Sequence, residues 1–325
     1  MIVALAFVAA AEEPFPTFKD WTAGCDNGRS CMAVGQYNPA NFDLASVVVE
    51  RGPLPGDVPV IWFRSEGGPV IDLQADGKRL GVKLTTDADD YAVTVDPASA
   101  PAVIDALKSA GALIPVRGDG KSSFPLSISG ASAAMRWIDE QQKRAGTVTA
   151  LVAKGPKPAS AVPAPPPLPV VTSVRPAGAI GKPLTNEEVA KIQEEHAECT
   201  DDDLSDKVAY GRLDSRTTLA IVTAICGSGA YNYYGIPMLL RDDGTREVAD
   251  MGPTEEGDTL MNLSWDESTR MMSSYFKGRG IGDCGAGSDW VWDGTRFQVV
   301  KERAMGECLG AIAWIPYYRA RVVTK

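Results

Sequence analysis

Histidine is nearly absent: His196 is the only one in 325 residues. A serine-histidine-aspartate triad or a histidine-containing zinc site would have to be built on that single ring. It sits among Glu194, Glu195 and Glu198 in a stretch with helical periodicity, where an exposed helical histidine is the simpler reading. No C-x-x-C pair, G-x-S-x-G elbow or G-x-x-x-x-G-K-[ST] phosphate loop occurs either, so the motifs give no thiol-redox pair, hydrolase nucleophile elbow or P-loop. No window has the 18 to 20 or so continuous apolar residues that cross a bilayer as a helix, and no integral membrane segment is expected. Basic excess is missing as well. Lys and Arg total 32 against 42 Asp and Glu, a formal net charge of -10. With no Lys/Arg stripe interleaved with aromatics, nucleic acid is not an expected partner.

What remains is ordinary globular composition, 44% hydrophobic and 23% charged, at a length that favours two domains. The first residues, MIVALAFVAAAEEP, form a short apolar run ending at Ala9, Ala10 and Ala11. Residues 1–13 therefore read as the tail of a secretory signal peptide without its basic n-region, the other reading being a first buried strand. The cysteines are six: Cys25, Cys31, Cys199, Cys226, Cys284 and Cys308. Fifteen pairings are open to six cysteines. Locality favours sequential partners, Cys25 with Cys31, Cys199 with Cys226 and Cys284 with Cys308, each closure being worth roughly 2 to 4 kcal/mol. Such stapling belongs to an oxidising compartment.

Along the chain, residues 14–154 show short Val/Ile/aromatic runs at 45–50, 58–63 and 91–95, between Gly, Pro and Asp clusters that read as turns. A helix is expected at 99–110, a strand at 124–128 and a second helix at 131–146. In that second helix Ala134, Met135, Trp137 and Ile138 make an apolar side, while Asp139, Glu140, Gln142 and Lys143 face water. Residues 155–183 form a linker. Nine prolines from Pro156 to Pro183 bar it from helix and sheet interior and favour an extended, semi-rigid spacer. Thr185 and Glu188 form a capping-box pattern that opens a helix at 185–198. Residues 184–325 then read as almost all strand, at 218–225, 236–241, 259–263, 270–276, 289–291, 296–301 and 314–322. The expected fold is a β-rich α+β protein of two domains, mainly antiparallel sheet with a few helices.

Several constellations could carry function. Asp201, Asp202, Asp203 and Asp206 offer oxygen ligands suited to calcium but lack EF-hand spacing, which leaves a solvated charge run as the plainer account. Around Cys284, the stretch KGRGIGDCG supplies Gly280, Gly282 and Arg279, which could cradle a small anion or simply shape a tight turn at the disulfide. Tyr231 and Tyr233 in CGSGAYNYYG, and Trp314, Tyr317 and Tyr318 in WIPYYRAR, are equally consistent with an interface and with core pairs. Paired carboxylates leave no spacing signature, so a glycan hydrolase using Asp or Glu stays open as an alternative.

The motifs WTAGCDNGRSCMAVG, SGASAAMRWIDEQQKR, CGSGAYNYYG and FKGRGIGDCGAGSDWVWDGTRFQVVKE followed by GEC resemble the uncharacterised bacterial proteins grouped as domain of unknown function 1176. The first motif is also similar to the invasion-associated locus B proteins, which are small and exported. The resemblance implies a periplasmic location and a β-rich first domain, and carries over no catalytic residue. The expectation is an exported, non-enzymatic envelope protein without a cofactor, binding an envelope protein or a small anionic ligand; the alternatives are the hydrolase and a calcium-stabilised module.

Overall fold

The computed structural model describes residues 15–35, 46–64, 70–86, 92–120, 125–204, 206–226, 229, 231–252, 260–311 and 313–325. The leader expected at 1–13 lies outside them, as do Ala45, Tyr91, Phe124 and Thr259 at the ends of expected strands.

A seven-stranded antiparallel sheet dominates the first half. It takes in β1 (Thr17–Phe18), β2 (Trp21–Cys25), β3 (Cys31–Gly35), β4 (Val47–Arg51) and β5 (Val60–Arg64). After β5 the chain leaves to make β6 (Val70–Ala75) and β7 (Lys78–Arg79), then returns as β8 (Leu84–Thr86) and β9 (Ala92–Val95), which complete that sheet. Helix α1 (Ala100–Ser109) leads to β10 (Leu113–Arg117), which pairs with β6 in a separate three-stranded sheet, and α2 (Ala131–Gln141) follows. Leu126 makes only an isolated bridge to Leu113, so the strand expected at 124–128 is reduced to one contact.

Alternation along the strands explains how the sheet is covered. Trp21, Ala33, Val47, Val49, Ile61 and Phe63 point to one face and pack with Val103, Leu107, Ala134, Met135 and Ile138 of the helices. Val34 and Val48 point to the other and pack with Met305, Ala311, Ala313 and Ile315 from the end of the chain. Both faces are buried, which is why Val47, Val48 and Val49 are all fully excluded from solvent.

The proline-rich segment is extended but not detached. A short 3-10 turn at Ala159–Ala161 precedes β11 (Val170–Ser173), a stretch free of proline that pairs in parallel with the last strand of the chain. Helix α3 (Asn186–Ala197) begins with the expected capping box, Thr185 Oγ1 accepting from the Glu188 amide and the Glu188 carboxylate from the Thr185 amide.

Two five-stranded paths follow. One is β12 (Val208–Arg212), β13 (Thr217–Ala224), β14 (Tyr234–Arg241) and β15 (Arg246–Val248), with β16 (Leu260–Met261) added beside β14. The other is β17 (Ser264–Asp266), β18 (Met271–Lys277), β19 (Gly285–Trp292), β20 (Phe297–Met305) and β21 (Ile315–Arg319) in order. The strand expected at 314–322 is broken at Ala320, whose amide turns to Val300 O, and continues as β22 (Arg321–Thr324) against β11. Leu219, Ile221, Leu239, Met272, Trp290 and Phe297 fill the space between the two sheets. Val189 and Ile192 of α3 cover the outer face of the first. The fold is α+β, mostly antiparallel sheet with few helices, as the sequence indicated.

All three disulfides join sequential partners, Cys25 with Cys31, Cys199 with Cys226 and Cys284 with Cys308. The first closes a loop that reaches the far end of the chain. Asp26 accepts from the Gly28 and Ser30 amides and forms an ion pair with Arg319. Asn27 exchanges two hydrogen bonds with the Arg319 backbone, at 2.9 and 3.0 Å.

Candidate functional site

The YNYY segment and the KGRGIGDCG turn meet on one surface, and Asn232 is the reason. Its side chain is buried, accepts from the Lys277 amide at 2.9 Å, donates to Lys277 O at 2.9 Å, and also accepts from Asn262 Nδ2 at 2.9 Å. Asn262 in turn donates to Tyr275 O, and its Oδ1 accepts from the Tyr233 amide. The loop is thereby fastened to the end of β18, where the turn begins. With Asn232 facing inward, its neighbours face outward: Tyr231 is 69% exposed and Tyr233 37%. Tyr231 also holds a positive φ of 57°, a left-handed conformation that costs a bulky residue roughly 1 kcal/mol or more and needs surrounding bonds to persist. Phe276 and Ile281 add exposed apolar surface on the strand end and turn. Lys277 Nζ donates to Tyr231 O and lies 5.5 Å from the Tyr275 ring centroid.

The turn itself is built from within. Arg279 Nε donates to Asp283 Oδ1 at 2.7 Å, and Nη2 donates to Asp283 Oδ2 and to Cys308 O. Asp283 is fully buried and also accepts from the Gly310 amide at 2.7 Å. The guanidinium fork that the sequence offered to an external anion is thus filled by an internal carboxylate. Gly280, Gly282 and Gly285 have G-x-G-x-x-G spacing, yet the first two lie in the turn between β18 and β19 and Gly285 opens β19, with no helix following, which is not the dinucleotide-loop context. Gly285 adopts φ 143°, and a Cβ there would lie 1.9 Å from Phe276 O, so the glycine is demanded by the hairpin.

Burial opposes the Asp283 charge, but the Arg279 hydrogen bonds, the Gly310 amide and the Arg279 charge outweigh it and hold the carboxyl below its ordinary value. A carboxylate depressed in the folded state contributes stability in full above its unfolded pKa of about 3.9, and that contribution disappears as pH falls through the folded value. Asp283→Asn should therefore cost about 2 kcal/mol at neutral pH. The difference from wild type should shrink below about pH 4 in denaturant titrations across pH. A gap independent of pH would show that the charge is not what matters.

The other sequence candidates are placed differently. Tyr317 lies 6.1 Å, centroid to centroid, from Phe15, and Trp314 meets Tyr275 edge-on at 6.3 Å, so the WIPYY cluster is packing rather than free surface. Asp201 of the acidic run accepts from the Ile225 and Cys226 amides and from Gln193 Nε2, bracing the Cys226 end of its disulfide. Among the described residues no group of three or more His, Cys, Asp and Glu side chains is arranged to hold a metal ion. One cleft in the first half contains Asp57 as its carboxylate and a second, beside α2, contains Glu140, so neither joins two acids in the way paired-carboxylate hydrolysis requires.

The C-terminal part of α2 departs from the expected helix at 131–146. Helix geometry ends at Gln141, five residues before the expected stop at Gly146, and Lys143 takes φ 59°. Asp139 and Gln142, expected to face water, are buried. Asp139 accepts from the amides of Leu151, Val152 and Ala153 at 2.7 to 2.9 Å. Gln142 Nε2 donates to Arg29 O, Arg51 O and Gly52 O, and its Oε1 accepts from Arg144, itself fully buried.

The family model described as "Protein of unknown function (DUF1176)" matches residues 15–321. The "Uncharacterized protein YpfG" of Escherichia coli (strain K12) is 31% identical over 320 residues, covering 90% of this chain and 88% of that protein. No solved structure matches the chain.

Proposed function

The chain belongs to the DUF1176 family, and we propose that it is an exported protein of the cell envelope that works by binding another protein through the Tyr231–Tyr233 surface rather than by catalysis. The observation that carries this reading is Tyr231: an exposed aromatic ring on a backbone in the left-handed region, held there by the hydrogen bonds of buried Asn232. Fixing an aromatic in place before contact removes part of the ordering cost of association, and tyrosine supplies apolar area and a hydroxyl together. Tyr233, Phe276 and Ile281 extend the apolar surface beside the turn that carries Gly280 and Gly282. Export is supported by the three disulfides, which persist in oxidising compartments. The halves 14–154 and 184–325 are read as two domains joined by 155–183, docked by the contacts of Arg319 and Ile315 into one body.

A photocrosslinking amino acid placed at Tyr231 of the full-length chain, illuminated in envelope extract, should give one discrete protein adduct. Asn232→Ala should weaken it about tenfold by releasing the loop. The same probe at Lys191 on α3 should give none. An identical adduct pattern at both positions, or no adduct at Tyr231, would remove the proposal.

A further inference from the structure

The first half holds a cleft of about 220 Å³ whose walls are apolar and whose charge is mainly positive. Val58, Pro59, Pro101, Ile104 and Val148 supply the walls, Lys154 stands exposed at the edge, and Arg51 forms part of the lining. Arg51 is only 4% exposed. Its Nη2 donates to Thr149 O at 2.9 Å, while its Nε is buried without a partner. A second guanidinium lies behind it. Arg144 is fully buried, and its bonds run to Gln142 Oε1, Thr149 Oγ1 and the carbonyls of Gly52, Leu54 and Pro55, all of them neutral acceptors.

The carboxylates nearby are committed elsewhere. Asp139 is used by three backbone amides, and Asp57, the one acid in the cleft, accepts from the Leu54 amide. Arg51, Arg144 and Lys154 against Asp57 and Asp139 leave an excess of one positive charge in a chain whose net charge is -10. A buried cation without an ionic partner is costly, and a bound anion removes that cost. Burial, followed by the charge of Arg144, lowers the Arg51 pKa to about 10, although the charges of Asp139 and Asp57 act to raise it.

We propose that this cleft binds a small monoanionic carboxylate with an apolar body, the carboxylate meeting Arg51 and Lys154 and the body lying against Val58, Ile104 and Val148. One negative charge matches the excess, a guanidinium beside an ammonium suits a carboxylate, and the walls suit an aliphatic or aromatic tail rather than a sugar or nucleotide. The site is independent of the tyrosine surface, which lies in the other half of the chain.

The test uses hexanoate as probe and hexanamide as its neutral counterpart, followed on the full-length chain through the methyl NMR signals of Ile104, Val148 and Leu151. Hexanoate should shift these signals saturably, and hexanamide should leave them almost unmoved. Lys154→Glu and Val148→Glu, both at exposed positions that leave the core intact, should each weaken the hexanoate response about tenfold. Lys191→Glu on α3 should not. The proposal is overturned if hexanoate produces no saturable shift, if hexanamide binds equally well, or if Lys191→Glu weakens binding as much as Lys154→Glu.

Discussion

Asp139→Ala should be among the most damaging single substitutions in the chain, lowering stability by about 4 kcal/mol in denaturant titration. The carboxylate lies at the end of α2, fully excluded from solvent, and receives the amides of Leu151, Val152 and Ala153. Alanine would leave those three donors facing an apolar space, at roughly 1 to 3 kcal/mol for each that water cannot reach. Set against a total of 5 to 15 kcal/mol for a typical domain, that is a loss of a quarter or more. Asp139→Asn keeps one accepting oxygen but presents an NH2 group to the remaining donors, so about half the loss should return. Residues 149–151 also line the cleft beside Arg51, and hexanoate binding should fall in step with stability in both variants. A change below about 1 kcal/mol for Asp139→Ala would mean that water replaces the carboxylate and that the 147–154 segment is not fastened by it.

This residue was legible in part. Ala131, Met135 and Ile138 mark the apolar side of the helix, and Asp139 stands four positions after Met135 and Gln142 four after Ile138, on that same side. Periodicity therefore put both toward the core. Their polarity drew the opposite conclusion, because a charge inside a helix stripe needs partners, and these come from the loop after the helix, where no repeat announces them. The cysteine pairs were readable for the converse reason: short loop closures are local, and local partners could be proposed from spacing alone. Arg279 shows the limit of motif reading. A glycine-flanked arginine looks the same in sequence whether its carboxylate comes from a ligand or, as here, from Asp283 four residues on. The tyrosines divided for a topological reason. The loop carrying Tyr231 was fixed by Asn232, which gave no signal because its partners, Lys277 and Asn262, are brought to it by sheet register. The WIPYY group was taken inward because β21 lies against the first half.

Ile315→Ala should cost about 3 kcal/mol and should weaken both halves together. Ile315 is fully buried in a cluster with Phe15, Val34 and Val48 from the first half and Met305, Ala311 and Ala313 from the second. The approach is close enough that Gly24 cannot carry a side chain. A Cβ there would fall 2.4 Å from a Phe15 ring carbon and 2.7 Å from Ile315 Cγ2. Three consecutive excluded valines in β4 carry the same message, since a sheet with one solvated face would show alternation instead. The second face of the first sheet is thus finished only when β21 is present, and the Cys25–Cys31 loop holds that strand through Arg319. A proline-rich connector usually separates domains that unfold independently; here its strand β11 is tied to β22, directly after β21. Hydrogen exchange on the full-length chain should show the slow amides of Val47–Arg51 and of Thr217–Ala224 losing protection in parallel when Ile315 is shortened. Loss confined to β20 and β21, with Val47–Arg51 unchanged, would mean that the seam is a contact between two self-sufficient domains rather than part of one cooperative core.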